Sequence, residues 1–388
     1  MILWCLLGTL AGIIAGLIPG LHSNNIAIVL AFTPFFGIEI TAFMLAMCIT
    51  QSFVEFIPST FLGAPSENTF ESVLPAHKLL LEGKALEAIN HTVFGGIVAV
   101  IVGAILTIPF FIFLEQNSTQ IMTLTPIILI FALIIFITEE KNTRKRLIIL
   151  FVIVSAGGQG FLFKDQVFPL ISGYFGIAAL IYSLKEKEEI KKINQSEECK
   201  IEKESIKDAL LGIMGGAIVS VMPGIGSNTA GGIINALRKT TNPKNYLTML
   251  GAINASNFFF SFAMLLALSK ARNGTMIALA DKIFYTQETL FTGTTIMLFA
   301  AGIGGLCTII IAKKAIHLFN EKNTKRLNIF CLIFMIALIG ITNGLVGLIA
   351  AFFSSALGIY TISQNIKRST LMSSLIVPTI FFYLFILL

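Results

Sequence analysis

Long apolar runs separated by short polar clusters set the rhythm of this chain, and the runs fall into two groups of five. Apolar spans cover 38–62, 92–115, 120–138, 147–163 and 167–184, then 246–269, 288–312, 327–343, 345–361 and 370–388. Each is long enough, or nearly so, to cross a hydrocarbon layer of ~30 Å as a helix. Two further apolar stretches, 1–36 and 208–237, are interrupted. The run from Asp208 to Met222 makes about 22 Å of helix at 1.5 Å per residue, too short to cross. Pro223-Gly224 stops it, a second short run reaches Leu237, and Arg238-Lys239 follow. This pattern predicts a re-entrant hairpin that descends to the midplane, turns, and leaves by the side it entered.

The two interrupted stretches are copies of one another. Leu7–Asn24 and Leu211–Asn228 share Leu7/Leu211, Gly8/Gly212, Gly12/Gly216, Ile14/Ile218, Pro19/Pro223, Gly20/Gly224, Ser23/Ser227 and Asn24/Asn228. In so biased a composition about two matches would arise by chance. The excess falls on residues that bend backbone or line polar sites. The chain therefore reads as an all-α polytopic membrane protein made of two repeats, residues 1–184 and 208–388, joined by a charged segment at 185–207. Each repeat has a hairpin broken at Pro-Gly and about five transmembrane helices. With five full crossings per repeat, the second copy enters the membrane upside down relative to the first.

Charge supports that topology. The loops 139–146, 185–207, 238–244, 313–326 and 365–368 carry most of the Lys and Arg, whereas 116–119, 164–166 and 343–344 carry Lys164 alone. An inverted second copy puts the basic loops on one side, the cytoplasm, and the poor loops outside with both termini. Segment 270–287, with Lys270, Arg272 and Lys282, is the exception, and it reads as a re-entrant or pocket-lining piece. The segment 185–207 balances seven Lys against seven Glu, the composition of a solvated helix.

Composition agrees: the chain is 55% hydrophobic with a mean hydropathy of +0.87, which places it in a plasma membrane and not in a soluble core. The net charge of +6 is accounted for by loops flanking apolar spans, so nucleic acid is not an expected partner. Five cysteines without CxxC spacing and four dispersed histidines predict neither a disulfide framework nor a metal site. No HExxH, GxSxG or paired-acid motif marks an enzyme, and no catalytic residue is expected.

The candidate chemistry lies at the helix breaks. Interrupting a helix in hydrocarbon frees N–H and C=O groups, at several kcal/mol each unless they are satisfied, so such breaks persist where backbone lines a site. The residues after each Pro-Gly begin new half-helices with unpaired N–H groups and partial positive charge. Gly20, Ser23, Asn24 and Asn25 in the first copy, and Gly224, Ser227, Asn228 and Thr229 in the second, are the expected substrate-binding residues, as two such ends would hold an anion. Asn254 and Asn257 match Thr50-Gln51-Ser52 in the spans that follow the hairpins. Gln51, Ser52 and Glu55 are candidates for a coupling ion, because an acid within an apolar span is costly unless it works. Ser66 and Asn68, in the polar segment 63–91, pair with 268–287, whose Arg272 is the cation expected near an anionic guest.

GLIPGLHSNNIAIVLAF, GAPSENTFESVLPAHKLLLEGKALEAI and VMPGIGSNTAGGII resemble the large permease subunit of the tripartite tricarboxylate transporter family. The Gly-rich helix ends in Pro-Gly-Leu, and an acidic-and-Pro segment leads to Leu81-Glu82-Gly83-Lys84-Ala85. The likeness covers most of the chain, which looks like a shortened, archaeal-type member. It departs from the pattern at His22-Ser23-Asn24-Asn25 and at Ala64-Pro65-Ser66-Glu67. The resemblance implies a permease for a small organic anion, a carboxylate, driven by Na⁺ or H⁺ and needing no cofactor. It also implies a small membrane subunit and an extracytoplasmic binding protein as partners, which the residues themselves do not reveal. The doubled Pro-Gly-x-x-Ser hairpin is also similar to that of a family that recycles a polyprenyl-phosphate lipid carrier, and a lipid phosphate would suit the same helix ends.

Overall fold

The computed structural model describes residues 1–18, 22–23, 26–27, 30, 33–61, 69, 72–185, 195–196, 199–222, 226–238, 242–271, 273–318 and 321–387. Among these every regular element is helical. The first half contains α1 (Ile2–Leu17), α2 (Ile38–Val54), α3 (Phe56–Phe61), α4 (Val73–Leu81), α5 (Ala85–Gln116), α6 (Ser118–Thr138) and α7 (Thr143–Leu162). It closes with α8 (Val167–Ile171), a π-turn at Ser172–Ile177, and α9 (Ala178–Lys185). The second half contains α10 (Glu204–Val221), α11 (Ser227–Arg238), α12 (Pro243–Leu268), α13 (Gly274–Ala280), α14 (Gln287–Leu318), α15 (Glu321–Ser363), a 3₁₀ turn at Arg368–Met372 and α16 (Ser373–Leu387).

Among the described residues, eight helical stretches are long and apolar enough to cross a membrane. Two differences from the ten spans read in the sequence have local causes. Spans 327–343 and 345–361 are joined as α15 through Gly344, whose φ of 61° and ψ of −155° are non-helical. A Cβ on Gly340 would lie 3.7 Å from Leu348 Cδ1, whereas residues eight apart on a straight helix are separated by about 12 Å. The chain therefore doubles back at Gly344, and the two passes remain two. The stretch 167–184 is shorter as a helix, at Val167–Tyr182, and runs through the π-turn.

Two spans form the centre. In Ile38–Phe61 and Pro243–Leu268, 94% of the apolar 18-residue stretch is buried within the protein, and in no other span does that share exceed 44%. Polar side chains on α2, α3 and α12 therefore face protein and not lipid. The outer helices carry the exposed Leu, Ile and Phe expected of lipid-facing surface.

Glycines set the packing of this centre. A Cβ on Gly8 would meet Phe43 O at 2.2 Å, and one on Gly12 would meet Met47 O at 2.4 Å. In the second half, Gly212 meets Met249 O at 2.5 Å, and Gly216 meets Ile253 O at 3.0 Å and Ser256 Oγ at 2.0 Å. Thus α1 lies parallel to α2, and α10 parallel to α12, in the same register of contacts. Both short helices also end alike, at Ile18 (φ −96°, ψ 107°) and Met222 (φ −92°, ψ 113°), because a residue before proline is forced out of the helical region. Trp4 packs edge-on against Phe35, ring centroids 5.2 Å apart. The chain between α1 and α2 therefore returns to the level at which α1 began.

The two central helices run antiparallel. Asn254 bonds to Glu55, while Phe262 and Leu45, toward the other ends, both reach Gly293. Each is then clasped by a long helix from the opposite half. Where α5 crosses α12, Gly95 would meet Thr248 O at 1.9 Å and Gly251 would meet Thr92 O at 2.1 Å. On the other flank, α14 crosses α2 with Gly304 against Thr50 Cα. The exchange recurs among the remaining helices. Ser373 Oγ donates to Ile153 O and Gly160 lies over Ser374 O, while Gly173 lies over Ala351 O and Gly358 over Tyr174 O.

Polar contacts join loops of the same charge class. Lys367 pairs with Glu139, linking two basic-rich loops, and Asn343 Nδ2 donates to Gln166 Oε1 at 3.0 Å, linking two poor ones. Gly37 N–H donates to Lys282 O, and Lys282 Nζ donates to Thr33 O. Two helix starts are capped by the Asn that precedes them. Asn142 Oδ1 accepts from Arg144 and Lys145 N–H, and Asn242 Oδ1 accepts from Lys244 N–H, with Pro243 at the first helical position. Each such cap is worth about 1 kcal/mol.

The segment between the halves departs from the solvated helix expected of it. Its described residues at 195–196 and 199–203 are not helical, and Gln195 and Ser196 dock on the start of α5. Gln195 Oε1 accepts from Ala85 N–H, its Nε2 donates to Leu80 O, and Ser196 N–H donates to Gly83 O. Lys84, which precedes α5, supplies no side-chain cap, so Gln195 does that work from a distance. Burial pushes the Cys199 thiol above its ordinary range, with Glu87 adding to the rise. Nearby, Glu87 and Lys244 form an ion pair at 2.6 Å with side chains only 7% and 23% exposed. His91 Nδ1 meets Thr248 Oγ1 at 2.9 Å. These contacts fasten the start of α5 to the start of α12. Removing either charge of such an enclosed pair leaves the other stranded, at a cost of about 3–5 kcal/mol.

Candidate functional site

The helix break that matters most lies where the buried centre carries an acid. Pro58 lacks an N–H, so the carbonyl of Val54 loses its helical partner and α2 gives way to α3 at Glu55. Glu55 Oε1 accepts a hydrogen bond from Asn254 Nδ2 at 2.9 Å, and both residues are 2% exposed. This contact joins the two halves at the centre of the molecule. The C-terminal end of α1 lies beside it, a Cβ on Gly16 meeting Glu55 N at 3.1 Å.

The glycine register refines the pairing expected between α2 and α12. Gly12 packs on Thr50 and Gln51 N, and Gly216 packs on Ser256 and Asn257 N. Thr50 thus answers to Ser256 and Gln51 to Asn257, whereas Asn254 answers to Cys48 and Glu55 to Ser261. Gln51 Oε1 accepts from Ser23 N–H at 2.6 Å, which pins Ser23 to α2. Asn257 Oδ1 accepts from Ser261 Oγ at 3.0 Å. From Asn245 to Leu266 every residue of α12 is buried except Asn257, which is partly exposed. An opening in the packing therefore falls at the register partner of Gln51. Ser52 is buried and donates to Ile49 O within its own helix.

At the second tip, Ser227 opens α11 and Thr229 follows it, both enclosed, and neither hydroxyl has a hydrogen-bond partner. Gly20, Asn24, Asn25, Gly224, Arg272, Ser66 and Asn68, with the prolines of both breaks, lie outside the described residues, as does the side chain of Asn228. Next to Arg272, Asn273 caps α13, its Oδ1 accepting from Met276 N–H. This α13 is a short, largely buried helix.

Two groups of polar residues escaped sequence reasoning. The Glu87–Lys244 pair and the His91–Thr248 bond join positions 157 residues apart, with no local motif to announce them. The turn Arg368–Met372, divided in the sequence reading between the basic loop 365–368 and the span 370–388, packs directly on α11. Its signal was there to find, since Arg368-Ser369-Thr370 opens the last apolar run with three polar residues. No three His, Cys, Asp or Glu side chains converge on a common point among the described residues.

Residues 2–373 match the family described as the tripartite tricarboxylate transporter TctA family. An uncharacterized protein of Methanocaldococcus jannaschii is 28% identical over 396 residues, an alignment that spans 99% of each chain. No solved structure matches the chain.

Proposed function

From the premise that this chain belongs to the tripartite tricarboxylate transporter TctA family, and is thus an integral membrane component of a transporter, we propose that it is a permease for a small organic anion. The cargo is a carboxylate, moved by ion-coupled alternating access across the plasma membrane. The observation that carries the reading is the Glu55–Asn254 bond, an acid at a helix break, buried and tied to the opposite half. An acid so placed is expensive unless it serves as a cation or proton site. Helix C-termini carry partial negative charge, and the end of α1 lies beside Glu55, which favours Na⁺ or H⁺ there. The anion occupies the opposite ends, the N-terminal turns at Ser23–Asn25 and Ser227–Thr229, with Asn257 beside the opening and Arg272 nearby.

The antiparallel central helices, the shared glycine register and the matching caps at Ile18 and Met222 support two inverted repeats, 1–184 and 208–388. The return of the chain to the level of Trp4 supports re-entrant hairpins. In such an arrangement, rocking one half against the other exposes the same site to each side in turn. A small membrane subunit and an extracytoplasmic binding protein are the partners this reading calls for. The lipid-phosphate alternative is not favoured by the family match.

Uptake of radiolabelled citrate and succinate into proteoliposomes, under an imposed Na⁺ or pH gradient, tests the proposal. Accumulation above the equilibrium level that collapses with the gradient is the expected result. Asn24→Leu combined with Asn228→Leu should abolish it without loss of membrane insertion. Absence of gradient-dependent flux for any carboxylate would refute the reading.

A further inference from the structure

The face of α11 turned toward the last helix carries chemistry that the tips alone do not use. On it Thr229 is 0% exposed, and its hydroxyl lacks a partner. The turn Arg368–Met372 packs against this helix: Met372 Cε would lie 3.3 Å from a Cβ on Gly226, and Ser369 Oγ 3.8 Å from one on Gly232. Ser369 is fully enclosed as well, and its hydroxyl also lacks a partner. Beside it Arg368 is partly buried, with Nη1 shielded from solvent.

Hydroxyls in apolar helices ordinarily bond to a carbonyl three or four residues back, as Thr361 does to Leu357 O and Ser373 to Thr370 O. Thr229 and Ser369 do not. Enclosed on two elements that face one another beside a guanidinium, they leave donors that an oxyanion would accept from.

The packing register of the outer helices sharpens the point. Gly160 lies over Ser374 as Gly358 lies over Tyr174, and Ser373 contacts Ile153 as Gly173 contacts Ala351. Residue 174 therefore answers to 374 and 173 to 373, so Arg368 and Ser369 answer to Phe168 and Pro169. The first half is apolar where the second is charged and hydroxylated.

We infer that Arg368 and Ser369, with Thr229, form a one-sided subsite for a carboxylate group of the transported anion, which orients the guest toward the second half. This rests on the anion-permease reading. Isothermal titration of the full chain in nanodiscs, with citrate, succinate and inorganic phosphate as probes, tests it. Ser369→Ala and Arg368→Gln should each weaken citrate binding by about tenfold to a hundredfold. Ser355→Ala, whose hydroxyl already bonds to Phe352 O, should bind as the parent does. If Arg368→Gln does not fold, Ser369→Ala and Thr229→Val decide the matter, with thermal unfolding of each compared to the parent. Parent-like citrate affinity in folded Ser369 and Arg368 variants would overturn the subsite and leave the permease reading standing. Binding of phosphate alone would overturn the carboxylate assignment, and a parent that binds no probe would overturn both readings.

Discussion

Replacing Gly95 or Gly251 by leucine is expected to prevent the molecule from assembling. At this crossing the obstacle on each side is backbone, Thr248 O at 1.9 Å from a Cβ on Gly95 and Thr92 O at 2.1 Å from one on Gly251. Flexible side chains can step aside, but a carbonyl held in a helical ladder cannot. Without a hydrophobic drive between helices in lipid, close backbone approach at small residues supplies much of the association. Overfilling a packed site ordinarily costs about 1–3 kcal/mol and occasionally more, and here the whole crossing must separate. Gly158→Ala and Gly302→Ala are the matched controls, since nothing lies within 4 Å of a Cβ at either position. They should be neutral or stabilising by about 0.5–1 kcal/mol through better helix propensity. Size-exclusion profiles and thermal unfolding in detergent measure both effects. Monodisperse, parent-like Gly95→Leu protein would contradict the packing described.

The second large effect concerns transport and not assembly. Glu55→Gln keeps the volume and a hydrogen-bonding oxygen for Asn254 Nδ2, so the fold should persist. The charge that pairs with the coupling ion is gone, and gradient-driven citrate accumulation should fall by at least a hundredfold. Asn254→Leu should behave differently, since it leaves the carboxylate without its 2.9 Å donor. Losing a hydrogen bond to a charged group costs about 1.5–3 kcal/mol, so the ion dependence of uptake should shift about tenfold to a hundredfold with residual flux. Exchange of internal for external citrate, measured without a gradient, separates the cases. Glu55→Gln is expected to retain exchange. Undiminished accumulation in Glu55→Gln would remove the acid from the mechanism.

Both predictions depend on residues that differ in how far the sequence exposed them. The broken helices were legible because proline acts locally: it forces its predecessor out of the helix, so Ile18 and Met222 end their helices wherever the rest of the chain lies. The acid at Glu55 was legible because a charge inside an apolar run is costly. Its partner was not, because a bond across 199 residues depends on how two helices cross. The register between α2 and α12 was misread for a related reason. Alignment from the first copy of the hairpin carries an offset of 204 residues, whereas the glycine contacts set 206 on the following helices. Two residues gained in the intervening polar stretch shift every later pairing without disturbing any local pattern. The segment at 185–207 had the composition of a free helix, yet Gln195 found an uncapped helix start to satisfy.

Transport by the proposed scheme requires the start of α11 to be exposed to each side of the membrane in turn, and thiol labelling measures that exposure directly. A Ser227→Cys variant would carry Cys199→Ser and Cys307→Ser, since Cys5, Cys48 and Cys331 are buried. Reconstituted in proteoliposomes, it would be exposed to a membrane-impermeant maleimide from outside or from within. The expected result is labelling from both sides, slowed on each by saturating citrate. Labelling from one side alone, or at a rate that citrate leaves unchanged, would contradict it.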